Sequence, residues 1–223
     1  MLAETTAVTM KRTIAIINQM QTDGVIGKYA IGGAIGATFY LEPKSTFDLD
    51  IFVSFEANSG SQLVSLGSIY EYLGRLGYKP QGEHIVIEKW HVQFLPANDP
   101  LYLEALAEAV ETQIEGEKTW VMTAEHLMAI ALKVGRPKDF DRIRQFINQA
   151  PVLAEAAITG SSSSGYEGDG SILYQPGNKA ISMSQNKVYD EDKLNKILTR
   201  HKLVEKWETL KLRIATENER IDG

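Results

Sequence analysis

The chain has 223 residues, 43% hydrophobic and 23% charged, and a formal net charge of -6. That length allows one large domain or two small ones, and the acidic balance excludes a globally basic nucleic-acid binder while leaving room for a local basic patch. There is no cysteine, which excludes disulfides, thiolate zinc centres and cysteine nucleophiles.

The first residues, "MLAETTAVTMKRTIAIINQM", carry an early acid and no apolar block with a small-residue cleavage site. They do not fit a signal peptide. No apolar run approaches the roughly 18 residues of a spanning helix. A soluble, cytoplasmic protein without a membrane partner is expected. Apolar residues at helical spacing (Val8, Ile14, Ile16, Ile17, Met20) predict a helix over 3–21, ending near Asp23-Gly24. "YAIGG" predicts a short strand broken at Gly32-Gly33, and "AIGATFYLE" a short helix closed by Pro43. "DLDIFVSF" has the β-branched and aromatic content of a strand. "SQLVSLGSIYEYLGRLGY" predicts an amphipathic helix with Gly77 at its end.

"HIVIEKWHVQFLP" predicts two strands turning at Glu88-Lys89, or one long strand. "DPLYLEALAEAVETQIEG" is expected as one helix, with Asp99 at the N-cap and Pro100 at the first helical position. A brief strand, "TWVM", leads to a helix capped by Thr123, and Pro137 opens a further helix. Residues 159–187, rich in Gly and Ser, predict a long flexible loop before two C-terminal helices. The expected architecture is α+β: a small mixed sheet core flanked by helices over residues 1–120, then a helical region over 121–223.

The chemistry concentrates in Tyr29–Phe55. Residues two apart on a strand point the same way, so Asp48 and Asp50 share one face while Leu49 and Ile51 enter the core. Two like charges this close repel unless a cation lies between them. Paired carboxylates suit hard divalent cations, which often bridge to substrate phosphates. A glycine turn opening a helix exposes N–H groups that can hold a phosphate. Phosphate cradle and metal carboxylates together are the equipment for attacking a nucleoside triphosphate.

In this order, "IGG" at Ile31–Gly33, a helix, then "FDLDIF" at Phe47–Phe52, the sequence resembles the DNA polymerase β-like nucleotidyltransferase superfamily. Within it, the closest likeness is to the minimal branch found among bacterial toxin–antitoxin and abortive-infection proteins. The resemblance covers roughly residues 25–150. It implies that Gly32 and Gly33 contact the triphosphate of an NTP and that Asp48 and Asp50 hold two magnesium ions. It also implies transfer of NMP to a hydroxyl of RNA, tRNA foremost, or of a protein, with a cognate toxin or antitoxin as a partner.

Members of the superfamily carry a third carboxylate on a later strand; the matching position here is Gln93. A glutamine is a neutral oxygen donor and no base at neutral pH. His91 or Glu88 could replace it as base, or the chain could bind nucleotide, or a protein partner, without transferring it. By the same resemblance, Lys133, Arg136 and Lys138 are expected over the triphosphate, with Asp139 orienting them. Lys193, Lys196, Arg200, His201, Lys202 and Lys206 form a C-terminal basic row that is either a solvated helix face or a track for an RNA backbone. Trp90, Trp120 and Trp207 are expected in the core or at interfaces.

Overall fold

Along residues 48–53, acids and a phenylalanine alternate with Leu49, Ile51 and Val53, and this alternation sorts the two faces of the sheet. The computed structural model of the chain describes residues 10–42, 46–55, 66–148 and 188–221. In chain order its elements are α1 (Met10–Thr22), β1 (Tyr29–Ile31), α2 (Gly33–Ala37), β2 (Asp48–Val53) and α3 (Gly67–Arg75). There follow β3 (Pro80–Gln81), β4 (His84–Ile87), β5 (Trp90–Pro96), α4 (Pro100–Ala107), β6 (Val110–Ile114) and β7 (Glu117–Val121). The helices α5 (Ala124–Val134), α6 (Pro137–Asn148), α7 (Glu191–Arg200) and α8 (Val204–Ile221) complete the fold.

The 7-stranded sheet runs β3-β4-β5-β2-β1-β7-β6, with β2 at its centre. It is mixed: β2 lies parallel to β5 and antiparallel to β1. On one face, Ile31, Leu49, Ile51 and Val53 pack against Ile14 and Ile17 of α1 and Ile69 and Leu73 of α3. On the other, Ala30, Phe52 and Met122 meet the apolar stripes of α4 to α8. Fully burying one such aliphatic side chain stabilises by about 1.5–3 kcal/mol. The fold is therefore α+β, a mixed sheet flanked by helices and followed by more helix.

The alternative of one long strand is excluded at Glu88-Lys89. Both residues have positive φ, 50° and 78°, as a two-residue turn twisting with its strands requires. Asp99 caps α4 by accepting from Leu101 N at 3.0 Å, with Pro100 next. Thr123 caps α5.

The single helix expected over residues 99–116 does not form. Helix α4 ends at Ala107, and Val110–Ile114 is a strand paired with β7. Its Val, Thr and Ile residues alternate with polar ones, and Glu115-Gly116 makes a second positive-φ turn, 51° and 85°. Helical propensity in "EALAEA" masked that period of two. The first helix begins at Met10 where it is described, and residues 159–187 lie outside the described part. Among the described residues, no helix is long and apolar enough to cross a membrane.

Candidate functional site

Parallel pairing of β2 with β5 sets Asp48 opposite His91 and Asp50 opposite Gln93. The β4–β5 register, Ile85 with Val92, extends this row so that His84 lies beside Gln93. Asp48, Asp50 and Gln93 line one cleft of about 510 Å³, together with His84, Glu83 and Thr38. That volume is in the range of small-ligand sites. The His91 Nδ1 atom is 3.7 Å from Asp48 Oδ1, and the His84 and His91 rings are 6.1 Å apart. Gln93 Nε2 donates to Glu83 Oε2 over 3.5 Å, at the limit of a hydrogen bond.

The two aspartates differ in environment. Asp48, with its side chain 55% exposed, sits at the mouth. Asp50 is deeply set, and burial pushes its carboxyl above the ordinary aspartate range. Asp48 adds to that rise, while Arg142, then Lys138 and Arg136, oppose it.

The glycine pair explains how the chain reaches the cleft. Gly33 has φ +58°, and a Cβ there would stand 1.8 Å from Asp50 Oδ2. Only glycine tolerates both the backbone and the contact. Gly32 N donates to Asp50 O at 2.9 Å, and a Cβ on Gly32 would strike the Phe52 ring at 2.6 Å. The phosphate contact expected of Gly32 is thus not available from its own N–H, which the sheet has taken.

Across the cleft stands the first half of α6. Arg136, Lys138 and Arg142 all line the cavity. Asp139, 1% exposed, orients two of them: Arg136 Nε and Nη2 bind its two oxygens at 2.8 and 3.2 Å, and Arg142 Nη1 lies 3.6 Å away. Burial pulls Arg142 below the usual arginine value, with Asp139 and Asp50 acting against that shift. A bidentate arginine is a fixed, planar donor suited to phosphate.

Lys133 lies elsewhere. Its Nζ binds Asp99 Oδ2 at 2.5 Å and stands 5.5 Å from the Tyr102 ring centre, and it does not line the cleft. Glu88 also stays away, accepting from Tyr78 Oη at 2.7 Å and pairing with Arg12 at 3.2 Å. Much of the C-terminal basic row is spent on packing. Lys193 bridges Glu108 and Glu125, Arg200 and His201 bind Glu104, and Lys206 donates to Lys133 O. Trp90 and Trp207 are buried and Trp120 half-buried.

Sequence patterns did not single out His84, Glu83 or Arg142. The first two depend on register across a hairpin, which no local pattern encodes. Arg142 was legible only as one of several bases, although its i+3 spacing from Asp139 carried the signal.

No protein-family model matches the chain, and no curated protein matches it. Among solved structures, the chain is similar to the crystal structure of an antigenic nucleotidyltransferase-like protein from Paracoccidioides brasiliensis. The TM-score is 0.46 at 16% sequence identity, over 62% of this chain and 74% of that one.

Proposed function

We propose that the protein is a magnesium-dependent nucleotidyltransferase that moves NMP from an NTP to a hydroxyl of RNA, with tRNA the first acceptor to try and a protein hydroxyl the second. One observation carries this: Asp48 and Asp50 on one strand face, opposite Arg136, Lys138 and Arg142 in a single cleft. Acids at one wall and bases at the other suit a metal-bound triphosphate, whose charge both walls would share.

The donor set fits magnesium. Asp48, Asp50 and Gln93 offer hard oxygen atoms in one row, and Gly33 leaves the space beside Asp50 that any other residue would fill. When bound, the ions would neutralise charge on the attacking and leaving oxygens. Asp48 and Asp50 would hold them, and Gln93 would add a neutral ligand. Arg142 and Arg136, braced by Asp139, hold phosphate oxygens, with Lys138 as a movable third charge. Gly32 and Gly33 shape the wall on which the triphosphate rests. In the reaction the acceptor oxygen bonds to the α-phosphorus, the α–β bridging bond breaks, and pyrophosphate leaves. The hydroxyl proton passes to a cleft base, for which Glu83, hydrogen-bonded to Gln93, is placed where Gln93 itself cannot serve.

Gln93 favours a second function, nucleotide or partner binding without transfer, as in a regulatory or antitoxin-like module. The resemblance of the "FDLDIF" segment adds a cognate toxin or antitoxin as partner, to be sought by co-purification with the product of a neighbouring gene.

The test is calorimetric titration of magnesium–NTP into the wild type and Asp48→Ala, followed by labelled-nucleotide transfer assays on tRNA and total protein. Binding lost in the variant supports the assignment; equal binding in both, or none in either, defeats it. Binding without transfer that turns into transfer on Gln93→Asp selects the second function.

A further inference from the structure

Away from the cleft, two buried side-chain nitrogens have no hydrogen-bond partner among the described residues, Trp90 Nε1 and His126 Nε2, and the second lies beside carboxylates. His126, in the first turn of α5, is fully buried. Its Nδ1 lies 2.9 Å from Thr123 Oγ1, the α5 cap, but its Nε2 has no hydrogen-bond partner among the described residues. Glu104 Oε1 is 3.5 Å away, an ion-pair distance at the outer limit of a hydrogen bond. Leaving such a nitrogen buried and unpaired is destabilising.

That nitrogen faces two carboxylates. Glu104 and Glu108 stand four residues apart, on one side of α4 and its C-cap. The donor atoms of Glu104, Glu108 and His126 all lie within 4.8 Å of one another. A single ion would draw these atoms closer than that, so side-chain movement must accompany its binding. The Thr123 hydroxyl can accept from Nδ1–H, which leaves the Nε2 lone pair outward. Metal-binding histidines are commonly oriented in this way, by an oxygen on the other ring nitrogen.

Charge allows an ion as well. Glu104, Glu108 and Glu125 face Lys193 and Arg200, one positive charge short of balance when the His201 ring, which also meets Glu104, is counted as neutral. Lys193 holds Glu108 by Oε2 at 2.9 Å, and a carboxylate has a second oxygen to give. Arg200 meets Glu104 through Oε1 and is more than half exposed, so it can swing out, while His201 keeps Oε2 at 2.7 Å.

We propose that Glu104, Glu108 and His126 form a binding site for a zinc-class divalent transition ion, which fastens α4 to α5 beneath α7. One imidazole and two carboxylates select this class over magnesium, which prefers oxygen donors alone. The site shares no residue with the aspartate cleft, so it stands or falls separately from the proposed transferase.

The test uses the full chain carrying Asp48→Asn and Asp50→Asn, which removes the cleft carboxylates, after dialysis against a chelator. Zinc chloride is titrated by calorimetry, and cobalt(II) is followed by its visible absorption. One ion per chain is expected, with cobalt bands bleached by zinc and untouched by magnesium. Adding Glu108→Gln, a change at a partly exposed residue, should weaken zinc roughly 10-fold or more. His126→Gln should remove the cobalt bands; should that variant not fold, Glu108→Gln decides alone. Absence of binding, or binding that Glu108→Gln leaves unchanged, overturns the proposal.

Discussion

The molecule holds two groups of carboxylates beside bases, and they are built in opposite ways. At the cleft, Asp48 and Asp50 stand on the central strand with their cations across an open cavity, on another element. At the α4–α5 seam, Glu104 and Glu108 already touch Arg200, His201 and Lys193 directly. The difference is visible in the acids themselves. Burial raises Asp50 above the usual carboxylate range despite three opposing cations. At Glu104 burial also acts upward, but hydrogen bonds from Arg200 and His201 outweigh it and hold the carboxyl low. An acid held low already has countercharges in the fold, which an ion would have to share or displace; an acid held high by burial has none so close.

Substitutions at the cleft should give the largest effects. Asp50→Asn should reduce magnesium–NTP affinity or transfer by at least roughly 100-fold. Because a buried charge is removed, the same variant should melt at or above the wild type, by on the order of 1 kcal/mol. A variant that binds poorly and is also destabilised would erase the contrast between the two clusters. Gly33→Ala comes next. Strain at φ +58° and collision with Asp50 Oδ2 should cost about 1–3 kcal/mol and displace the carboxylate. Gly24→Ala has similar φ, +71°, but open space, and serves as the control, with no loss of nucleotide affinity.

Arg142→Met should weaken NTP binding by roughly 10-fold while leaving magnesium binding intact. It should also move Asp50 further upward, since Arg142 is the foremost charge opposing burial. Carbon-13 titration of the Asp50 carboxyl would follow that movement.

The smallest effects belong to the seam's neighbour, the Asp99–Lys133 pair. Asp99→Ala should cost about 1 kcal/mol through the lost α4 cap, and Lys133→Ala less than about 1 kcal/mol, as an exposed ion pair. Lys133→Ala should shift nucleotide affinity by under about twofold; a large loss would return Lys133 to the triphosphate. The Asp99 carboxyl is held low, first by Lys133. The stability it contributes is present above the ordinary aspartate range and fades as pH falls through its lowered folded value, which acid melting of wild type against Asp99→Asn would measure.

How much of this was written locally in the chain varies by element. The β2 alternation, the Glu88-Lys89 turn and the Asp99 and Thr123 caps depend on neighbouring residues, so they were legible. The β6 strand was not, because "EALAEA" is a strong helix former and Val110–Ile114 is a strand only where β7 lies beside it. At the site, the Asp48/Asp50 pairing follows from a period of two. Gln93 beside Asp50 is set by the β2–β5 pairing and was named from the resemblance, whereas Arg142 rather than Lys133 at the cavity required the packing of α6 over the sheet. The sidedness of a helical base is decided by what its helix leans on, as Lys133 and its Asp99 partner illustrate.

The central place of β2 has a consequence for motion. Its amides are covered by a strand on either side and by helices on both faces, so they should exchange with solvent only when the whole domain opens. Helix α6 borders the cleft through its first turns, while Ile143 and Phe146 anchor it in the core beside Tyr40. The Asp48–Asp50 spacing is therefore set in the part of the domain that should open last, so a ligand entering the cleft meets a carboxylate wall already in place.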